Sequence, residues 1–125
     1  KKKSEKVILC GDLNIAPHED DVWSHKSLIN VVSHTEVERN KLREILKNCN
    51  FTDTLRYFIN PPENVFTWWS YRSPNFEQNN RGRRLDHIWV SSSLSCKLRN
   101  AKILRQFRKK MKPSDHVPIY LELSL

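Results

Sequence analysis

The chain has 125 residues, enough for one compact domain with a modest core. Its 22 Lys and Arg against 14 Asp and Glu leave a net charge of +8, which favours polyanionic partners such as nucleic acid, anionic lipid or phosphorylated substrates. No apolar run is long enough to span a bilayer and no signal-peptide pattern is present, so the sequence predicts a soluble protein with no membrane partner.

The chain opens on Lys1-Lys2-Lys3 with no initiator Met, as a fragment or a processed chain would. Val7-Ile8-Leu9-Cys10 is a short apolar run ended by Gly11, which predicts a buried strand entering the loop Gly11 to Pro17. Thr35 with Glu38 three residues on predicts a capping box and a helix, with Val37, Leu42, Ile45 and Leu46 as its apolar face and Asn48 or Asn50 as its end. Phe51 to Ile59 fits either helix or strand and breaks at Pro61-Pro62. Val65 to Tyr71 is rich in aromatic residues and predicts a strand; Ser73 to Gly82 predicts a polar loop. Leu85 to Ser91 and Leu98 to Leu104 predict two further strands, and Lys109 to Ser114 a basic loop. The last segment alternates, with Val117, Ile119, Leu121 and Leu123 on one side and Pro118, Tyr120 and Glu122 on the other, as a strand with one buried face does. Mixed strands and helices predict an α/β or α+β fold. Cys10, Cys49 and Cys96 form no C-x-x-C pair, which argues against a zinc ribbon; each is expected as a small buried residue in a reducing compartment.

Three acidic loop signals stand at the ends of apolar runs: Asp12 with Asn14, Asp86 with His87, and Asp115 with His116. Any one of them alone reads as a turn former or cap. Together they offer hard oxygen ligands suited to Mg²⁺ or Mn²⁺, a carboxylate to take a proton from water, and an imidazole to face a developing phosphate charge. Those parts make a phosphodiester hydrolase.

At these residues the sequence resembles the C-terminal half of the bacterial exodeoxyribonuclease III family, within the DNase I-like endonuclease/exonuclease/phosphatase superfamily. The segments that carry the resemblance are Gly11-Asp12-Leu13-Asn14-Ile15-Ala16-Pro17, Thr67-Trp68-Trp69-Ser70-Tyr71-Arg72, Gly82-Arg83-Arg84-Leu85-Asp86-His87 and Ser114-Asp115-His116-Val117-Pro118, in the family's order. Asp21 to Lys26 and Val31 to Thr35 resemble the bacterial branch as well, which implies a cytoplasmic bacterial protein. The resemblance implies one partial domain over residues 1–125, half of a four-layer α/β sandwich, monomeric when complete and acting on abasic sites and 3′ ends of double-stranded DNA.

By the same resemblance, Asp12 matches the acid that orients or deprotonates the attacking water, and Asn14 the side chain that holds that water and a phosphate oxygen. His116 matches the imidazole on the scissile phosphate, and Asp86 the acid that orients it. Asp115 matches a minor metal ligand or one acting through water, with Asp12 and Asn14 also near the Mg²⁺ (or Mn²⁺). His87 is expected as a plain strand residue. Trp68 matches a wall of the abasic-sugar pocket, and Trp69 reads as core. Arg72, Arg81 and Arg83 are expected on DNA, with Arg84, Lys109, Lys110 and Lys112 as further candidates. Arg83 stands where some relatives carry a bulky apolar residue, which bears on the balance of abasic-site cleavage and exonuclease action. The resemblance places the principal metal-binding Glu, an upstream Asn and a catalytic Tyr in the N-terminal half of such proteins, before the Gly-Asp-x-Asn motif. Without that half, the chain is expected to expose apolar surface and to be weak or inactive alone. Two other readings stay open: a phosphoesterase of the same superfamily acting on inositol phosphates or lipids, and a non-catalytic basic nucleic-acid-binding remnant.

Overall fold

The computed structural model describes residues 4–125; the Lys1–Lys3 run lies outside them. The elements in chain order are strand β1 (Ile8–Asp12), a 3₁₀ turn at Glu19–Asp21, helices α1 (His25–Leu28) and α2 (Glu36–Asn48), strand β2 (Phe51–Asp53), helix α3 (Thr54–Phe58), strand β3 (Trp68–Trp69), helix α4 (Phe76–Asn79), strands β4 (Gly82–Arg83) and β5 (Asp86–Ser91), a 3₁₀ turn at Ser92–Lys97, strand β6 (Leu98–Ile103), a 3₁₀ turn at Arg105–Lys109, and strand β7 (Ile119–Leu123).

β5 is the centre of a three-stranded antiparallel sheet in the order β1-β5-β2. Its register sets Gly11 opposite His87 and Asp12 opposite Asp86, so two carboxylates end up side by side where the sheet stops. β6 and β7 form a second antiparallel pair, in which Ile119, Leu121 and Leu123 turn inward and Tyr120 and Glu122 outward, as the alternation predicts. Leu55, Val65 and Ala101 are buried against Ile119 and Leu121, which ties this pair to α3.

A third, smaller ladder positions the site. β3 pairs with β4 so that Trp68 faces Arg83, and two isolated bridges extend the row: Val22 to Arg83 and Trp68 to His116. Val22, Arg83, Trp68 and His116 therefore stand in neighbouring segments. The predicted strand over Val65 to Tyr71 shrinks to two residues because its neighbours are equally short. Thr67 replaces the missing ladder bonds: its N–H donates to Arg83 O at 2.9 Å and its hydroxyl accepts the Leu85 and Asp86 N–H groups at 3.0 and 3.1 Å.

Other expectations meet corrections of the same kind. β1 is not a buried strand: Ile8 is 51% exposed, and Cys10 is exposed too, because β1 is the outer strand of the sheet among the described residues, with β5 on one side. Cys49 and Cys96 are also exposed, at a helix end and in a 3₁₀ turn. Thr35 caps α2 through the capping box and the helix ends at Asn48, but its buried residues are Arg39 and Leu42; Val37, set across the helix from Leu42 by five residues' spacing, is 67% exposed, and Ile45 is 49% exposed. The ambiguous Phe51 to Ile59 resolves into β2 and α3, with Asp53 capping α3. The polar loop after Tyr71 contains α4, framed by Asn75 and Asn80 in the left-handed region, with Phe76 packed on Trp69 at 5.6 Å between ring centroids.

A buried ion network locks these pieces together. Arg84, fully buried, donates to Asp21 at 2.8 Å and to Asp53 at 2.7 Å, and Arg56 donates to Asp21 at 2.6 Å. Burial alone would lower the Arg84 pKa and raise that of Asp53; the facing charges outweigh it, so Arg84 rises and Asp53 falls.

Candidate active site

Asp12 closes β1, and Gly11 beside it adopts φ 152°, a conformation that costs glycine little. Asn14 is in the left-handed region at φ 55°, and its N–H donates to Asp12 Oδ1 at 2.9 Å. That turn, open to Asn because of its short polar side chain, fixes the Asp12 carboxylate, and Asn14 lines the same cavity as His116.

His116 enters from the loop before β7 and sits between the two paired acids. Its Nδ1–H donates to Asp86 Oδ2 at 2.8 Å, and its Nε2 lies 3.6 Å from Asp12 Oδ2. Directly opposed like charges destabilise a strand pair, and an imidazolium between them removes that cost. Burial pulls the His116 pKa down; the hydrogen bond and charge of Asp86, then the charges of Asp12 and Asp115, outweigh it and raise it above the usual value. Asp86 is held in turn, since Thr67 Oγ1 donates to the same Oδ2 at 2.7 Å. Thr67 is a positioning residue that the sequence reading left unassigned; its only signal was a hydroxyl inside an aromatic run.

Asp115 does not join this group. Its Oδ2 accepts the Trp68 indole N–H at 2.9 Å, and it is Asp86, expected only to orient the imidazole, that stands with Asp12 and His116. These three bring ligand-type atoms within 4.8 Å of one another. Asp86 Oδ2 is already committed to His116 and Thr67, and Asp12 Oδ1 accepts the Asn14 N–H, so the carboxylate oxygens of this group left for a cation are Asp12 Oδ2 and Asp86 Oδ1. Such a donor set fits a hard cation bound through one or two carboxylates while keeping water; it is short of a closed shell.

A cavity of about 350 Å³ opens beside His116, walled by Asn14, Val32, Trp68, Arg83 and Leu85. Arg83 reaches across it, donating to Ser33 Oγ at 3.0 Å with its guanidinium 5.4 Å from the Trp68 ring centroid. Arg72 and Arg81 line a second groove, which shares Trp68 and Arg83 with the first. Trp69 is core, as expected. Arg84 is not available to a ligand, being fully buried on Asp21 and Asp53. Lys109 pairs with Glu77, and Lys110 lies over Phe107. His87 is more than a passive strand residue: its Nε2–H donates to Ile15 O at 2.8 Å and so anchors the loop that carries Asn14. Burial, and then the charge of Arg84, push its pKa down to about 4.

Comparison with known proteins gives this arrangement a family. The chain is 34% identical over 119 residues to an exodeoxyribonuclease of Bacillus subtilis, covering 95% of this chain and 45% of that protein. It is 32% identical to exodeoxyribonuclease III of Haemophilus influenzae, covering 96% and 46%. An AP endonuclease structure from Archaeoglobus fulgidus superposes with a TM-score of 0.93 at 30% identity, over 100% of this chain and 48% of that one. A Neisseria 3′ phosphatase bound to product DNA hairpin superposes at 0.88, with 32% identity over 96% and 46%. The chain thus spans about half the length of the relatives it matches. Residues 1–116 match the Endonuclease/Exonuclease/phosphatase family, and the chain belongs to it.

Proposed function

We propose that this chain forms the C-terminal part of a divalent-metal-dependent DNA-repair nuclease that hydrolyses phosphodiesters at abasic sites and 3′ ends of duplex DNA. The observation that carries the reading is the Asp12–His116–Asp86 row, with Asn14 beside it and the Trp68 cavity open next to it. Asp12 orients the attacking water and takes its proton. Asn14 holds that water and a phosphate oxygen. His116, kept charged by Asp86, presents its Nε2–H to a non-bridging phosphate oxygen, where negative charge grows in the transition state. Asp12 would hold a cation such as Mg²⁺ or Mn²⁺, which would supply further neutralisation of the phosphate charge. Arg72 and Arg81 contact the DNA backbone, and Trp68 and Arg83 wall the pocket for the extruded sugar.

The open side of β1 and the exposed Ile8 support an N-terminal half of the same domain as the structural partner. The test is cleavage of an abasic duplex with Mg²⁺ by this chain reconstituted with such a half. Cleavage is expected, with Asp12→Asn lowering the rate about 10²–10⁴-fold. No cleavage by the reconstituted pair, or phosphate release from inositol phosphates without action on DNA, overturns the reading.

A further inference from the structure

Two histidines that the proposed chemistry does not use are bonded to each other. His25 opens α1 and His34 lies in the turn before α2, with His25 Nδ1 2.7 Å from His34 Nε2. His34 is fully buried and His25 half-buried. Their surroundings assign the hydrogens. His34 Nδ1 is 2.8 Å from Ala16 O, which can only accept, so that nitrogen carries a proton. In neutral His34, Nε2 is then a lone pair, and the donor across the 2.7 Å contact is His25 Nδ1–H.

The pair secures one wall of the cavity beside His116. Ser33, next to His34, is at φ 83°, a left-handed conformation that a residue with a Cβ keeps only where its surroundings impose it. Here Ser33 O accepts the Ala16 N–H at 2.8 Å, and Ser33 N–H donates to the Glu38 carboxylate at 2.9 Å. Ser33 Oγ and Val32 O in turn accept Arg83 Nη1–H at 3.0 and 3.4 Å. The His34–Ala16 bond ties the same two segments a second time. The loop that carries Asn14 and the turn that holds Arg83 are thereby fastened to each other.

The pair accommodates one proton and not two. Charged His25 keeps its Nδ1–H bond to His34 and presents a second N–H to Glu19 Oε1, 3.6 Å from Nε2. A further proton on His34 Nε2 would set two donors against each other at 2.7 Å. Besides His25, the charged groups acting on His34 are Arg39 and Glu38 from α2 and Asp21 from the 3₁₀ turn. Burial, aided by the charges of Arg39 and His25 and opposed by Ala16 O and Asp21, lowers the His34 pKa, so the second proton arrives below the ordinary histidine range.

We infer that His34, with His25 as its hydrogen-bond donor, is a positioning residue for the cavity wall: the singly protonated or neutral pair holds Ser33 and Arg83 in place, and the doubly protonated pair releases them. The effect on catalysis rests on the nuclease reading above; the effect on Arg83 does not.

The experiment uses the full-length protein. Nitrogen NMR follows the two imidazoles and the Arg83 guanidinium, and cleavage of an abasic duplex with Mg²⁺ is measured in parallel from pH 7.5 to 5. At pH 7.5 both histidines should carry a proton on Nδ1. His25→Leu removes the donor from a half-buried position; it should shift the Arg83 signals and raise KM about tenfold, with kcat changed less than about twofold. His25→Asn restores an N–H, and its amide, turned over, offers an oxygen to a protonated His34. That variant should keep the parent KM at pH 7.5 and lose the rise in KM that the parent shows toward pH 5. A bare His25 Nδ1 at pH 7.5, or a folded His25→Leu with unmoved Arg83 signals and parent KM, overturns the inference. A parent that cleaves abasic duplex while His25→Leu changes nothing refutes the positioning role alone. A parent that does not cleave, with Arg83 signals that still move in His25→Leu, refutes the nuclease reading and upholds the hold on Arg83.

Discussion

The working state of His116 depends on a hydroxyl two bonds away from it. Thr67 fixes the Asp86 carboxylate from one side while accepting two main-chain N–H groups, and Asp86 then holds the imidazole. Thr67→Val keeps the shape and removes those bonds. The expected result is a His116 pKa that falls from its raised position and a nuclease rate lower by about 10–100-fold, as for other groups that orient a reacting side chain. An NMR titration of His116 checks the first and single-turnover cleavage the second; Thr67→Ser should restore both. The sign of the pH effect follows from the same contacts. Because the His116 pKa is raised, the charged form persists to higher pH, and the proposed nuclease activity is expected to fall as pH climbs through that value. Asp86→Asn removes the raising charge while burial still acts, so the alkaline limb of the rate profile should move to lower pH.

Among the elements, Asp21 is the joint. It receives Arg56 from α3 and Arg84 from the segment joining β4 to β5, while Arg84 also reaches Asp53 at the end of β2. Removing one partner of such a buried set leaves a guanidinium without its counter-charge. Asp21→Asn should therefore destabilise the fold by about 3–5 kcal/mol in urea unfolding. A loss below 1 kcal/mol, the size expected of a surface pair, would contradict the buried-joint role. Gly82, in β4, is a second tight point. A Cβ there would meet Phe66 Cβ at 2.5 Å, so the short β3–β4 ladder has no room for a side chain at that position.

For the molecule as a whole, the buried histidines set an acid limit. His87 is pushed down to about 4 from an ordinary 6.5, and burial also lowers His18 and His34. A depressed folded-state pKa means that the unfolded chain takes up the proton first. Stability is thus full above about pH 6.5 and is lost as pH falls toward 4, by up to about 3 kcal/mol from His87 alone. His116, with its raised pKa, acts in the opposite direction. A series of melting temperatures from pH 7.5 to 4 should show the decline, and His87→Gln should flatten it. Parallel curves for the two proteins would show that His87 does not carry the effect. No helix among the described residues is long and apolar enough to cross a membrane, and the chain's large exposed apolar side chains include Ile8 on the outer strand and Val37 and Ile45 on α2.

The sequence by itself determined the chemical inventory and its order: the Gly-Asp-x-Asn turn, the capping box at Thr35, the alternating final strand, and the acid and imidazole groups with their family. These signals are local, set by neighbours a few residues apart. Only the tertiary structure decided which groups meet. Two Asp-His dipeptides occur in the chain, and in neither does the acid hold its own neighbour's imidazole. Successive residues of an extended segment turn their side chains apart, so Asp115 goes to the Trp68 indole while His116 goes to Asp86, and His87 is buried on Ile15. The hydrogen-bonded pair is assembled from the acid of one dipeptide and the imidazole of the other, thirty residues apart. The same holds for Arg83 and Arg84, neighbours in sequence, of which one faces the cavity and the other is sealed in an ion network. Strand register and burial made those choices, and neither can be read from the order of the residues.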